Sequence, residues 1–291
     1  MDTVAVLETV APVFALMFVG YAFASLRRTD VTALTDIVLY LGGPALVFRS
    51  LVGSELGAAD VGTLVAGTVW IVVFVGVAVT VVARVIGFEV GSLYLPMMFP
   101  NVGNMLLPLV WFAYGDEGLA RGAVVFVTMT LLQSTVGVSI ATGRPNWGEV
   151  LRLPYAHAAV AGLWVRTAGV AVPDMATRAV GLLADLAVPL MLLALGMRLA
   201  TVRAGDWRRA ALAAPVRLAG GFVAGSAFVA AFGVDGTTRS VLLLASVMPS
   251  AVVNFVFAEK YGDSGGEVAA AVVVTTTVSL VTTPLYLRFA V

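Results

Sequence analysis

Apolar residues occur along this chain in long runs that are separated by short polar stretches. A run of about 20 mostly apolar residues is long enough for an α-helix to cross a bilayer. Such runs follow one another at residues 5–26, 31–52, 61–83, 91–113, 119–142, 150–171, 177–198, 208–231, 238–258 and 266–288. The pattern predicts an all-α polytopic membrane protein with ten transmembrane helices, numbered here as segments 1 to 10. Because the connections are short, we expect the function to reside within the membrane region.

The composition agrees with a membrane protein and argues against several other classes. Hydrophobic residues make up 60% of the chain and charged residues only 12%, whereas charged residues supply about a quarter of a soluble domain. The 17 basic and 17 acidic residues cancel, so the chain lacks a basic field that would hold nucleic acid. With one histidine and no cysteine it has few groups for a catalytic centre. We therefore predict neither an enzyme nor a bound cofactor or metal.

The two halves of the chain carry the same sequence motifs in the same order. Segment 4 contains Pro-Asn-Val-Gly-Asn at residues 100–104, and segment 9 contains Pro-Ser-Ala-Val-Val-Asn at residues 249–254. A Tyr-Gly-Asp triplet follows each of them, at residues 114–116 and 261–263. These matches predict a first five-helix repeat at residues 1–143 and a second at residues 144–291. Because five is an odd number, the two copies enter the membrane from opposite sides and form an inverted repeat.

Each of the two prolines is expected to interrupt a membrane helix. Pro100 and Pro249 lack an amide hydrogen and clash with the preceding turn, so they free carbonyl groups that need a polar partner at membrane depth. The half-helix after each proline presents amides with partial positive charge, which suit a carboxylate. The predicted substrate site consists of Pro100, Asn101, Gly103, Asn104, Gln133, Pro249, Ser250 and Asn254. The alternative interpretation is a pair of proline kinks that serine and asparagine side chains repair by packing.

Charged residues inside the predicted segments are candidates for coupling to an ion. Asp185 lies four residues before Pro189 in segment 7 and is the preferred residue for binding a proton or sodium. For Asp36, near the end of segment 2, exposure to lipid headgroups is the favoured explanation. Arg217 in segment 8 is expected to pair with an acid, to attract anions into a vestibule or to extend to the membrane surface. For His157 in segment 6, a packed neutral imidazole is favoured over a proton relay.

Basic residues at the ends of the segments predict the orientation of the protein. Ten of them lie on the side that holds the connection between segments 1 and 2, and six lie on the opposite side. The richer side is expected to be cytoplasmic. This orientation places both termini outside the cytoplasmic (plasma) membrane.

The motifs around the two prolines resemble those of the auxin efflux carrier family. The similarity rests on Pro-Asn-Val-Gly-Asn…Leu-Pro at residues 100–108 and on Met-Pro-Ser-Ala…Asn…Ala-Glu-Lys-Tyr-Gly at residues 248–262. It also rests on a threonine-rich last segment that ends in Thr-Thr-Pro-Leu at residues 282–285, and it extends over essentially the whole chain. The resemblance implies a fold like that of the bile acid:sodium symporters, in which the broken helices 4 and 9 cross.

The resemblance further implies a division of the helices into two groups. Helices 1, 2, 6 and 7 would form a scaffold, and helices 3–5 and 8–10 a transport domain that moves like an elevator. The implied activity is secondary transport of a small organic anion, such as an auxin-like acid or a dicarboxylate, by a homodimer. The alternatives are sodium- or proton-coupled symport or antiport through Asp185, and a membrane sensor without transport activity.

Overall fold

The computed structural model describes residues 2–27, 29–144, 148, 152–201, 207–261 and 265–289. Within these ranges the protein is helical, and its one extended pairing is an isolated bridge between residues 100 and 250. The helices, numbered in chain order, are α1 (Thr3–Arg27), α2 (Thr32–Val52), α3 (Ala58–Ile86), α4 (Tyr94–Met98), α5 (Val102–Thr142), α6 (Pro154–Thr167), α7 (Asp174–Thr201), α8 (Trp207–Phe232), α9 (Gly236–Ser246), α10 (Val253–Tyr261) and α11 (Gly265–Phe289). The last two residues of the second Tyr-Gly-Asp triplet, 262 and 263, lie outside the described residues.

Seven helices in the described residues are long and apolar enough to cross a membrane, namely α1, α2, α3, α5, α7, α8 and α11. Helical structure is present in each of the ten predicted segments, but not as ten continuous membrane helices. Segments 4 and 9 are divided near their prolines into shorter pieces, and α6 has only 14 residues. An all-helical membrane protein is confirmed for the described part of the chain. The count of ten and the inverted repeat remain predictions.

Helix α5, which spans 41 residues, is a hairpin of two arms. Gly115 interrupts it with φ 60° and ψ −149°, a conformation that favours glycine because it has no side chain. A Cβ on Gly122 would lie 2.8 Å from Val110 and 3.1 Å from Leu107. Along a continuous helix residues 107 and 122 would be about 22 Å apart, so the chain reverses at Gly115. The first arm belongs to segment 4 and the second to segment 5.

The helices pack in two groups. In the first group α1 packs along α7, and α2 packs against α6 and α7. Gly20 of α1 and Gly196 of α7 approach the opposite backbone so closely that a Cβ at either position would overlap it. In the second group α8 packs against α3, α9 and α11. α5 packs against α3 and α9 and also against α1 and α2 of the first group. Small residues permit this close approach where lipid offers no hydrophobic driving force between helices.

Candidate substrate site at the paired helix breaks

The gap between α4 and α5 lies against the gap between α9 and α10. The amide of Asn101 donates to the carbonyl of Pro249 at 2.7 Å, and the amide of Ala251 donates to the carbonyl of Phe99 at 3.0 Å. These two bonds form the antiparallel bridge between Pro100 and Ser250. The backbone groups that leave the helices at the two breaks therefore become each other's partners, as a membrane environment requires.

Asn254 joins the second break to the first through its whole amide group. Its Nδ2 donates to the carbonyl of Phe99 and to Oγ of Ser250, both at 3.0 Å, and its Oδ1 accepts from Nε2 of Gln133 at 2.6 Å. Gln133 begins a π-helical turn in the second arm of α5, and all three polar side chains are buried. The structure thus brings these three predicted site residues together. Because their hydrogen bonds are made with one another, they hold the shape of the breaks.

Asn101 places an unpaired hydrogen-bond donor at the first break. Its Oδ1 accepts from the amide of Asn104 at 3.1 Å and caps the first turn of α5. This contact orients the side chain and leaves Nδ2 buried, with no hydrogen-bond partner among the described residues. The residue is only 3% exposed, so water does not readily satisfy the group. A buried donor without a partner costs about 1–3 kcal/mol, which a ligand that offers an acceptor would offset.

Gly103 and Asn104 are partly exposed at the start of α5. A Cβ on Gly103 would lie 2.9 Å from the ring of Phe126, so a larger residue would displace that ring. Phe126 packs edge-on against Tyr155 of α6 with ring centroids 4.6 Å apart, and Tyr155 donates to the carbonyl of Val38 in α2. The start of α5 is therefore connected to α2 and α6 by aromatic contacts.

Arg217 of α8 is a residue whose place the sequence did not indicate. Its side chain is completely buried, and Nη1 donates to the carbonyls of Met97 and Met98, each at 3.0 Å. Nη2 donates to the carbonyl of Ser246 at 2.6 Å. These carbonyls lie at the C-terminal ends of α4 and α9, which carry partial negative charge. Within the described part of the chain Arg217 therefore neither pairs with an acid nor reaches a vestibule or the membrane surface, and all three expectations from the sequence are wrong. The sequence feature that points to this close packing is the glycine at position 221, one turn after Arg217. In the structure a Cβ there would overlap both Arg217 and the Ser246 carbonyl.

The predicted coupling residue Asp185 forms an ion pair between α7 and α2. Its Oδ1 lies 2.5 Å from Nη1 of Arg49, and its side chain is 64% exposed. Pro189 does not interrupt α7, which is continuous from Asp174 to Thr201, so no broken backbone lies beside this carboxylate. The structure therefore gives Asp185 a partner in α2 and does not bring it into the hydrogen-bond network of the breaks.

Two other titratable residues singled out in the sequence lie on the surface of the described protein. Asp36 is exposed, as expected. His157 is exposed as well, and its Nδ1 lies 2.9 Å from the carbonyl of Leu153 one turn earlier in the chain. The packed imidazole expected for His157 is therefore wrong, because this side of α6 faces away from the protein interior.

The formal charge buried in the described part of the protein is positive. The buried polar side chains are those of Thr9, Thr68, Asn101, Thr128, Gln133, Ser134, Arg217, Thr238, Ser246, Ser250, Asn254, Thr275, Thr276, Ser279 and Thr283. Arg217 is the one member of this set that is charged at neutral pH, and the set contains no carboxylate. The N-terminal ends of α5 and α10, which carry partial positive charge, also lie at the breaks.

A groove of about 560 Å³ lies beside α4, between α3 and the end of α5. Its lining consists of Val73, Gly76, Val77, Thr80, Val81, Arg84, Tyr94, Met98 and Ile140. Most of these side chains are apolar, and no residue of the predicted substrate site is among them. Met98 connects the groove to the breaks because its carbonyl binds Arg217.

Helices that are broken in both halves of a chain and meet inside a membrane bundle are typical of secondary transporters. The chain belongs to the membrane transport protein family, that of the auxin efflux carriers, and the family model matches residues 142–287. It is 24% identical over 302 aligned residues to an uncharacterized transporter of Methanocaldococcus jannaschii, with 96% of this chain and 97% of that protein covered. It is 27% identical over 308 aligned residues to an uncharacterized transporter of Methanothermobacter thermautotrophicus, with 96% of each covered. These similarities confirm the resemblance found at the two prolines and indicate a membrane transporter.

Proposed function

We propose that this protein is a secondary transporter that moves a small organic anion across the cytoplasmic membrane. The substrate is a carboxylate, such as an auxin-like acid or a dicarboxylate, bound where the two helix breaks meet. The observation that carries this proposal is the buried Nδ2 of Asn101, a donor without a partner among the described residues. A carboxylate oxygen is a strong acceptor for such a group, because hydrogen bonds to charged groups contribute about 1.5–3 kcal/mol.

The charges around the breaks support an anion over a cation. Arg217 neutralises the negative C-terminal ends of α4 and α9, and the positive N-terminal ends of α5 and α10 are left to act on a ligand. Asn104 lies partly exposed beside Asn101 and can add a neutral hydrogen bond. In this proposal Gln133, Ser250 and Asn254 hold the breaks in place. Asn104 contacts the substrate, and Asn101 does so in a state of the transport cycle that uncovers its Nδ2.

The proposed architecture has ten membrane passages in two inverted repeats, residues 1–143 and 144–291. α4 with the first arm of α5 supplies one passage, the second arm of α5 supplies the next because the chain folds back at Gly115, and α9 with α10 supplies another. The reciprocal bonds between residues 99 and 251 and between residues 101 and 249 support a crossing of the two broken helices, which we place near the middle of the bilayer.

The proposed mechanism is an elevator motion of one helix group against the other. α1, α2, α6 and α7 form the scaffold, through which two copies associate as a homodimer, and the remaining helices carry the paired breaks. The packing of α1 along α7, and of α8 against α3 and α11, supports this division, and α5 lies between the two groups. The contact between Arg49 and Asp185 joins two scaffold helices, which favours a structural role for Asp185. Coupling to a proton or sodium through Asp185 remains the second candidate.

Two substitutions at Asn101 test the site. Asn101→Asp keeps an oxygen that can cap Asn104 but removes the donor and adds a negative charge, whereas Asn101→Ala removes both groups. We expect the alanine variant to lose roughly ten- to hundredfold in carboxylate affinity, and the aspartate variant to lose more. Val160→Ala, at a position that is 70% exposed, is the control.

The measurements are thermal stabilisation and uptake into vesicles, with a panel of monocarboxylates, dicarboxylates and indole-type acids. A bound ligand stabilises the folded protein by mass action, so a true substrate raises the unfolding temperature. If both Asn101 variants bind every acid as tightly as the parent, the site is elsewhere. If the parent binds an acid but never accumulates it in vesicles, the protein is a sensor.

A further inference from the structure

We propose that the carbonyl oxygens of Met97, Met98 and Ser246 form a cation site, which this protein fills with the guanidinium of its own Arg217. The guanidinium is then a fixed counter-charge of the crossing that stays in place through the transport cycle. A free planar cation of the same shape is expected to occupy the site when the side chain is removed.

The first step of the argument is the convergence of two helix ends. α4 ends at Met98 and α9 ends at Ser246, and the carbonyl groups at both ends point to one buried place. Each end carries a partial negative charge, and the membrane interior offers no water to solvate it. Two such ends side by side need a positive group.

The second step is the shape of the donor. One guanidinium nitrogen of Arg217 spans two consecutive carbonyls of α4, and the other nitrogen reaches α9. This geometry requires the rigid planar guanidinium of arginine, whose donors point in fixed directions. The single ammonium of a lysine does not reproduce it. No carboxylate among the described residues pairs with Arg217, so the charge is balanced by main-chain dipoles.

The third step is the space around the group. Gly221 lies one turn after Arg217, and a Cβ there would overlap the guanidinium and the Ser246 carbonyl. Gly225 lies one turn further, where a Cβ would overlap the Ser246 side chain. Arginine and the two glycines thus form one face of α8, at intervals of four residues, that accommodates the end of α9. Gly221 and Gly225 therefore permit the close approach of α9 to α8.

Truncation of the side chain tests the proposal with purified full-length protein. Arg217→Ala leaves three carbonyl acceptors around a cavity of guanidinium size, and we expect its unfolding temperature to fall by roughly 5–15 °C. Guanidinium chloride at low millimolar concentration should raise that temperature in a saturable way, whereas urea, a neutral molecule of the same shape, should not. The parent should show no such stabilisation, because its site is occupied. Guanidinium should also restore uptake by the variant.

Arg217→Lys and Arg217→Gln separate charge from hydrogen bonding, and they keep the test open if the alanine variant does not fold. The lysine variant retains a cation and should be clearly more stable than the glutamine variant, which retains a donor only. Three results would overturn the proposal. The first two are a glutamine variant as stable as the lysine variant, and equal effects of guanidinium and urea on Arg217→Ala. Stabilisation of Arg217→Ala by sodium but not by guanidinium would also contradict it, because the site would then select a spherical ion.

Discussion

The amide of Gln133 donates to Oδ1 of Asn254 at 2.6 Å, across a sequence separation of 121 residues. Both side chains are buried, and the bond connects the second arm of α5 to the start of α10. Asn254 also holds the carbonyl of Phe99, so the same side chain binds two separate parts of the first half of the chain at the second break.

This contact predicts strong coupling between the two amides. Gln133→Ala leaves a buried acceptor on Asn254 without its partner, which should cost about 1–3 kcal/mol in unfolding free energy. The double variant with Asn254→Ala should lose less than the sum of the two single variants, by about 0.5–3 kcal/mol. Chemical or thermal unfolding of the four proteins measures the difference. Additive losses would show that the two side chains act independently.

Neighbouring glycines of α8 should respond very differently to alanine. Gly221→Ala places a methyl group on the Ser246 carbonyl and on Arg217, and the overlap should cost roughly 1–3 kcal/mol or prevent folding. Gly220→Ala is the matched control, because a Cβ there meets only Val75, at 4.0 Å. The control should be neutral or slightly more stable, since alanine is the better helix former. Unfolding temperatures of the two variants decide the matter, and equal losses would contradict the packing described for this face.

Removal of the Asp185 charge should leave transport largely intact. The ion pair with Arg49 is exposed at its carboxylate, so Asp185→Asn should cost no more than about 1 kcal/mol in stability. We expect uptake by this variant to vary with pH as it does in the parent, because the pair lies outside the hydrogen bonds of the breaks. Arg49→Gln provides the reciprocal control. Loss of the pH dependence in Asp185→Asn alone would establish Asp185 as the coupling residue.

The chain contains no cysteine, so single cysteines report its orientation directly. Glu55, Glu89 and Asp116 are exposed at three successive connections, after α2, after α3 and at the turn of α5. With external termini, cysteines at residues 55 and 116 should react with an impermeant reagent added to intact cells, and one at residue 89 should react only after lysis. A cysteine at residue 116 that is protected in intact cells would contradict a passage formed by α4 with the first arm of α5.

The positions of the breaks could be predicted from the sequence because their causes are local. A proline such as Pro100 removes a hydrogen bond from its own helix whatever its neighbours are, and apolar runs define membrane segments in the same local way. Proline alone was not sufficient, because Pro189 lies within α7, which is continuous. The partners of Arg217 and Gln133 depend on which helices cross, and their contacts span 120 and 121 residues. A single sequence does not show which residues at such separations come into contact. For the same reason the sequence indicated that Asn254 is a polar residue at the break. It did not indicate that the amide of Asn254 would form hydrogen bonds with Phe99, Ser250 and Gln133.

The reciprocity of the two backbone bonds at the breaks bears on how the molecule assembles. Residue 101 donates to residue 249 and residue 251 donates to residue 99, so each half of the chain contributes one donor and one acceptor. Neither half can satisfy the backbone hydrogen-bonding groups at its own helix break. Either half alone would expose unpaired peptide groups to lipid. The two halves of the chain are thus obligate complements at the breaks. Fragments 1–143 and 144–291 made in the same cell should accumulate together, while each one made alone is degraded.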